Sequence, residues 1–179
     1  MPTSRVTILI ASMLLLPACS AVDASLPEPA TRLSFPSEQV AEGITFHAEL
    51  RVVQHSPLVL QTVVTATNAG TRTRRVEVPG GCPVLVRVYQ NPHPLGEPAW
   101  DQAEHTSCAP QLTTLTLEPG ESRELQTTVA AREILGRVLP SARYHLTAVV
   151  RPNGEWIELS AGDTVLTRQR GAEPSGEPR

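Results

Sequence analysis

The sequence predicts an all-β protein, an antiparallel immunoglobulin-like sandwich with one short helical turn and disordered ends. Three observations carry this. Short β-branched runs alternate apolar and polar residues with a period of two. Gly, Pro and Asn turn signals separate them at short intervals. No helical pattern is long enough to cross over between parallel strands, so the strands must pair antiparallel in two packed sheets.

The elements follow in chain order. "TRLSF" (31–35) and "ITFHAELRVV" (44–53) supply one or two strands, and "LVLQTVVTATNAG" (58–70) is a strand that stops at Asn68-Ala69-Gly70. In "CPVLVRVYQ", Val84, Val86 and Val88 share one face, with Leu85, Arg87 and Tyr89 on the other. "LTTLTLEPGES" ends a strand at Pro119-Gly120, and "RELQTTVA" sets Leu125, Thr127 and Val129 against more polar neighbours. "AAREILGRVL" (130–139) has helical spacing but is short. "RYHLTAVVRPNGEWIEL" reads as a hairpin, with Tyr144, Leu146, Ala148 and Val150 on one face and a turn at Pro152-Asn153-Gly154. Tyr144, following Pro140 at a strand start, fits a tyrosine corner, its ring inward and its hydroxyl on nearby backbone. Trp100 reads as a core or rim anchor ahead of a recognition residue, and Trp156 as half-buried packing in a hairpin strand.

The chain opens with Arg5, an uncharged apolar run from Val6 to Leu16, and small residues around Cys19. That is the layout of an export signal, and the run is too short to span a bilayer, which takes about 20 residues. "LPAC" (16–19) resembles the lipobox of bacterial lipoproteins, which implies cleavage after residue 18, acylation of Cys19 and a place in the bacterial cell envelope, anchored to a membrane. Ordinary cleavage after Ala21 or Ala24 is the alternative. The cysteine count favours lipidation, because an exported chain with three cysteines leaves one thiol over unless other chemistry consumes it. Cys82 and Cys108 can then close a disulfide, stabilising by about 3 kcal/mol on the loop-entropy model. Two free buried thiols are the other option.

Removing residues 1–18 leaves 161 of 179 residues, one domain in size, and moves the formal charge from -3 to -4. Residues 19–30 read as a tether, 31–167 as the sandwich and 168–179 as a disordered tail. A mildly acidic chain is a poor partner for nucleic acid. The sequence contains no Lys, which removes P-loop, Schiff-base and Ser-Lys chemistry.

"TVVTATNAG", "EPAWDQ", "LTLEPGES", "LPSARYHLTAVV" and "ELSAGDTVL" resemble, in this order, the BsuPI family. The resemblance covers roughly residues 46–166 and implies an immunoglobulin-like sandwich and the family's role as an intracellular proteinase inhibitor.

No catalytic motif is present: there is no G-x-S-x-G, H-E-x-x-H, C-x-x-C or Gly-rich phosphate loop. The three Asp residues, Asp23, Asp101 and Asp163, are single and far apart, which does not support a Ca²⁺ loop. Cys82, His93, His105 and Cys108 contain four zinc ligand types, but their spacings lack the short pairs of structural zinc sites. No metal or cofactor is expected. What remains is "QNPHPLGEPAWDQAEHTSCAP" (90–110), almost wholly inside the Cys82–Cys108 loop and stiffened by Pro92, Pro94 and Pro98. Its candidate contact residues are His93, Leu95 and Trp100; the alternative is that Leu95 and Trp100 cap the sandwich. The expectation is a lipid-anchored, non-enzymatic module binding a protein of the envelope. A proteinase inhibitor and a structural accessory subunit of an envelope complex are the alternatives.

Overall fold

The computed structural model describes residues 34–90 and 96–168. The segments whose sequence reads as an export signal and a tether, with Cys19, as well as His93, Leu95 and the residues from 169 onward that read as a tail, lie outside the described residues.

Ten strands occur among the described residues: β1 (Glu38–Ala41), β2 (Ile44–His55), β3 (Leu58–Thr67), β4 (Arg74–Pro79), β5 (Leu85–Gln90), β6 (Trp100–Asp101), β7 (Leu112–Leu117), β8 (Ser122–Ala130), β9 (Ala142–Val150) and β10 (Ile157–Leu166). All pairings are antiparallel. One sheet has the order β1-β2-β3-β8, the facing sheet β10-β9-β5-β6, and β4 pairs with β7 as a separate ribbon. The β3-β8 pair and the β5-β9-β10 trio take the places of strands B-E and C-F-G of the immunoglobulin sandwich.

The period-two pattern builds the core as expected. Between the sheets, Leu60 of β3 clusters with Val86 and Val88 of β5 and Tyr144 and Leu146 of β9, while Val64 and Ala66 of β3 cluster with Ala148 and Val150 of β9. The buried apolar residues form two clusters, one around Phe46, Val76, Leu117 and Leu159, the other around Leu60, Trp100, Tyr144 and Leu166. The short helix α1 (Ala131–Leu135) plugs the second with Ala131, Ile134 and Leu135. Gly136 ends α1 at φ 45°, a conformation that an L side chain resists.

Tyr144 forms the tyrosine corner, its hydroxyl donating to the Pro140 carbonyl at 2.7 Å. The turn at Pro152–Gly154 carries Asn153 and Gly154 at positive φ, and Asn153 Oδ1 accepts from Glu77 N at 2.9 Å, which ties the hairpin tip to β4.

Three elements differ from expectation. The first strand begins at Glu38, and Ser34 and Phe35 are not in a strand. Here the chain straddles both sheets: the Pro36 carbonyl accepts from Ser160 N at 2.8 Å and the Ser37 carbonyl from Ala48 N at 3.0 Å, so no continuous ladder forms. The strand β4, "RRVEVP", was not expected, because two arginines and a proline leave only Val76 and Val78 to show the alternation, and both are buried. Trp156 precedes β10 rather than lying within a strand and is 41% exposed, its ring facing two guanidinium groups.

Candidate functional site

Cys82 and Cys108 are joined, their Cα atoms 5.5 Å apart across 26 residues of sequence. Both sulfurs are consumed by this bond, so neither is a thiolate ligand for zinc. The two chain segments approach closely because Gly80 and Gly81 precede Cys82. A Cβ on Gly81 would lie 2.6 Å from Ala109 N, and Gly80 N donates to the Gln111 carbonyl at 2.7 Å.

The loop closed by this bond returns to the sheet. Trp100 pairs with Val88 and Asp101 with Arg87, which makes β6 the edge strand. Trp100 is 8% exposed and packs in the core cluster with Val86, Val88 and Leu146, so it serves as an anchor and offers little surface. His105 stacks on it at 5.3 Å between ring centroids. Behind β6, Gln102 accepts from Val86 N at 3.0 Å and donates to Thr127 Oγ1 at 3.2 Å, which links this edge to β8 of the opposite sheet.

Asp101 is thereby delivered to the outer face of the β10-β9-β5-β6 sheet. Arg87 Nε donates to Asp101 Oδ2 at 2.7 Å and Arg87 Nη1 to Glu158 Oε2 at 2.9 Å. Glu158 Oε1 accepts from Tyr89 Oη at 2.6 Å and from Thr147 Oγ1 at 2.7 Å. Asp101 Oδ1 also accepts from Ala103 N at 2.9 Å. The Arg87 guanidinium lies 4.5 Å and that of Arg151 4.8 Å from the Trp156 ring centroid, within cation–π range. Phe35 extends the aromatic surface, 5.3 Å from Tyr89 and stacked at 6.4 Å on His145, whose Nδ1 is 2.8 Å from Asp163 Oδ1.

Burial and partners set the electrostatics. Burial works against the Arg87 charge, but the hydrogen bonds to Asp101 and Glu158 and their negative charges outweigh it and hold the guanidinium pKa above its usual value. Burial, followed by the hydrogen bond to anionic Glu158, pushes the Tyr89 phenol well above its ordinary value. Asp101 and Glu158 are thus both tied to donors, an arrangement that fixes charge in place.

Beside this network opens a cleft of about 490 Å³, lined by Phe35, Arg87, Tyr89, Gly96, Glu97, Pro98, Asp101, Glu104 and Glu158. Four carboxylates face one guanidinium there. Of the residues singled out from sequence, Trp100 lies behind this cleft in the core, and Cys82 and Cys108 close the loop that forms one wall. The alternation of β5 puts Arg87 and Tyr89 on one face, opposite the valines, but Glu158, Thr147 and Asp101 were not legible as their partners. The one available signal was an Arg and a Tyr at alternate positions of a strand whose other face is all valine.

No protein-family model matches the chain, and neither does any curated protein sequence. Among solved structures it is similar to a β-glucosidase of intestinal bacteria involved in saponin metabolism, at 14% identity and a TM-score of 0.38 over 69% of this chain and 16% of that one. It is also similar to the ApaA protein of Bordetella pertussis, at 14% identity and a TM-score of 0.34 over 76% of this chain and 99% of that one. A third is a β-glucosidase of Erythrobacter marinus, at 14% identity and 0.33 over 65% of this chain and 15% of that one. The chain spans 16% of the length of the first of these. Likenesses this distant carry nothing about activity.

Proposed function

We propose that this chain is a non-enzymatic protein-binding module of the bacterial cell envelope, exported and held at a membrane by lipid on Cys19. Support for binding comes from one observation above all: the disulfide-closed loop is pinned at Trp100 and carries Asp101 onto a sheet face, where a preformed cleft opens beside it. A rigid scaffold that holds a concave site loses less entropy on association than a mobile one. Support for the anchor comes from the "LPAC" segment, and the joining of Cys82 to Cys108 leaves Cys19 as the third cysteine.

Two measurements test the proposal. Cells expressing the wild type and fed a clickable palmitate should label the protein in the membrane fraction, and Cys19→Ser should abolish the label; equal labelling of both overturns the anchor. Crosslinking in intact cells should then join the chain to a discrete envelope protein. Proteinase inhibition, the second reading, is supported by the same closed, proline-containing loop, a form suited to presentation in a protease cleft. Titration against subtilisin-type proteases decides it, since a true inhibitor reaches stoichiometric loss of activity.

A further inference from the structure

We infer that the outer-face cleft recognises an arginine side chain of the partner, received between its rim carboxylates and its aromatic wall. The inference rests on the protein-binding reading and names the chemistry of that site. Asp101 and Glu158 share Arg87, and the remaining two carboxylates of the cleft, Glu97 and Glu104, are exposed with no ion pair or hydrogen-bond partner among the described residues. The cleft therefore carries an excess of negative charge that nothing within the described fold neutralises. Its volume of about 490 Å³ leaves room for a long side chain. Phe35, half-buried on the wall of the cleft with the buried Tyr89 ring 5.3 Å behind it, supplies flat apolar surface suited to a planar cation.

A guanidinium answers both features, because it is planar, permanently charged and able to fork between two carboxylates. Arg87 shows that geometry within the site, with one carboxylate on Nε, another on Nη1 and the Trp156 ring at its face. An ammonium offers charge without the plane. An anionic or neutral side chain would leave Glu97 and Glu104 facing like charge or nothing.

The full mature chain, labelled with ¹⁵N, is titrated with N-acetyl-Gly-Arg-Gly-amide, with the same peptide carrying citrulline, the neutral isostere, and with the lysine peptide. The arginine peptide should shift the backbone amides of Tyr89, Asp101 and Glu158 in a saturable manner, with citrulline binding at least about tenfold more weakly and lysine in between. The double variant Glu97→Gln/Glu104→Gln, whose changes are exposed and leave the fold intact, should weaken the arginine peptide by a similar factor, and Arg51→Ala on the opposite sheet should not. Equal binding of citrulline, shifts that map elsewhere, or no loss in the double variant overturns the inference.

Photo-crosslinkers placed at positions 97 and 61 in intact cells separate the two proposals. Crosslinks from position 61 together with a cleft that ignores arginine leave the binding module standing and remove the arginine site. A cleft that binds the arginine peptide while neither position crosslinks to a protein keeps the site's chemistry and removes the protein-binding reading on which its biological role rests.

Discussion

The two sheets present cross-strand polar groups on their outer faces, and the same chemistry has different consequences on each. On the β1-β2-β3-β8 sheet, Arg51 donates to Glu124 at 3.1 Å, Gln61 to Gln126 at 2.9 Å, and Thr67 and Ser122 hydroxyls meet at 2.8 Å. The Arg51 and Glu124 side chains are 44% and 51% exposed. On the β10-β9-β5-β6 sheet, Arg87 and its two carboxylates are 22%, 11% and 11% exposed. Only the second face has the loop closed by Cys82–Cys108 beside it and Phe35 against Tyr89. Water screens the first set almost completely, whereas partial burial strengthens the second and makes each unpaired member costly. A loop that covers one face can thus turn an ordinary polar ladder into a site.

Removing the cover should have the largest effect. Cys82→Ala/Cys108→Ala is expected to lower stability by about 3 kcal/mol in guanidinium chloride unfolding, since the open loop regains its freedom in the unfolded chain. If the double variant unfolds at the wild-type midpoint, the loop is held by β6 and Gln102 alone.

Breaking the network at its centre comes next. Glu158→Gln removes the charge shared by Arg87, Tyr89 and Thr147 and should cost about 2 kcal/mol, the range for hydrogen bonds to an ionised group. A cost indistinguishable from zero would make this face equivalent to the exposed one.

Tyr89→Phe should cost about 1 kcal/mol at neutral pH and should also change the alkaline limb. Both tyrosines of the chain, Tyr89 and Tyr144, have phenols pushed above the ordinary value, by burial first and for Tyr89 also by Glu158. The folded state keeps protons that the unfolded chain releases above about pH 10, so this contribution is fully present below that pH and is lost as pH rises further. Unfolding free energy measured from pH 8 upward should fall beyond about pH 10, less steeply in Tyr89→Phe than in the wild type.

The smallest effect belongs to the exposed face. Arg51→Ala should leave the unfolding midpoint unchanged within error, at low and at high salt. A clear loss would show that exposure is not what separates the two faces.

The sandwich is legible along the chain, because a period of two sorts residues between two faces wherever a strand forms, and turn residues mark where strands end. The sorting of Val86 and Val88 from Arg87 and Tyr89 onto opposite faces, the tyrosine corner at Tyr144 and the turn at Asn153-Gly154 were legible within a few residues of chain. The pairing of Cys82 with Cys108 was legible from cysteine count. The cleft was not. Arg87 meets Glu158 across 71 residues and Asp101 across 14, and which residues meet depends on the registers of β5 with β9 and β6 and of β9 with β10, which no local pattern encodes. Trp100 shows the same limit: an aromatic in a proline-containing loop reads equally as contact or anchor, and only the return of β6 to the sheet edge, placing its ring among Val86, Val88 and Leu146, decided for the anchor. Local sterics and hydrophobicity act along the chain and can be read there, whereas a site is built from groups that only folding brings within hydrogen-bond distance.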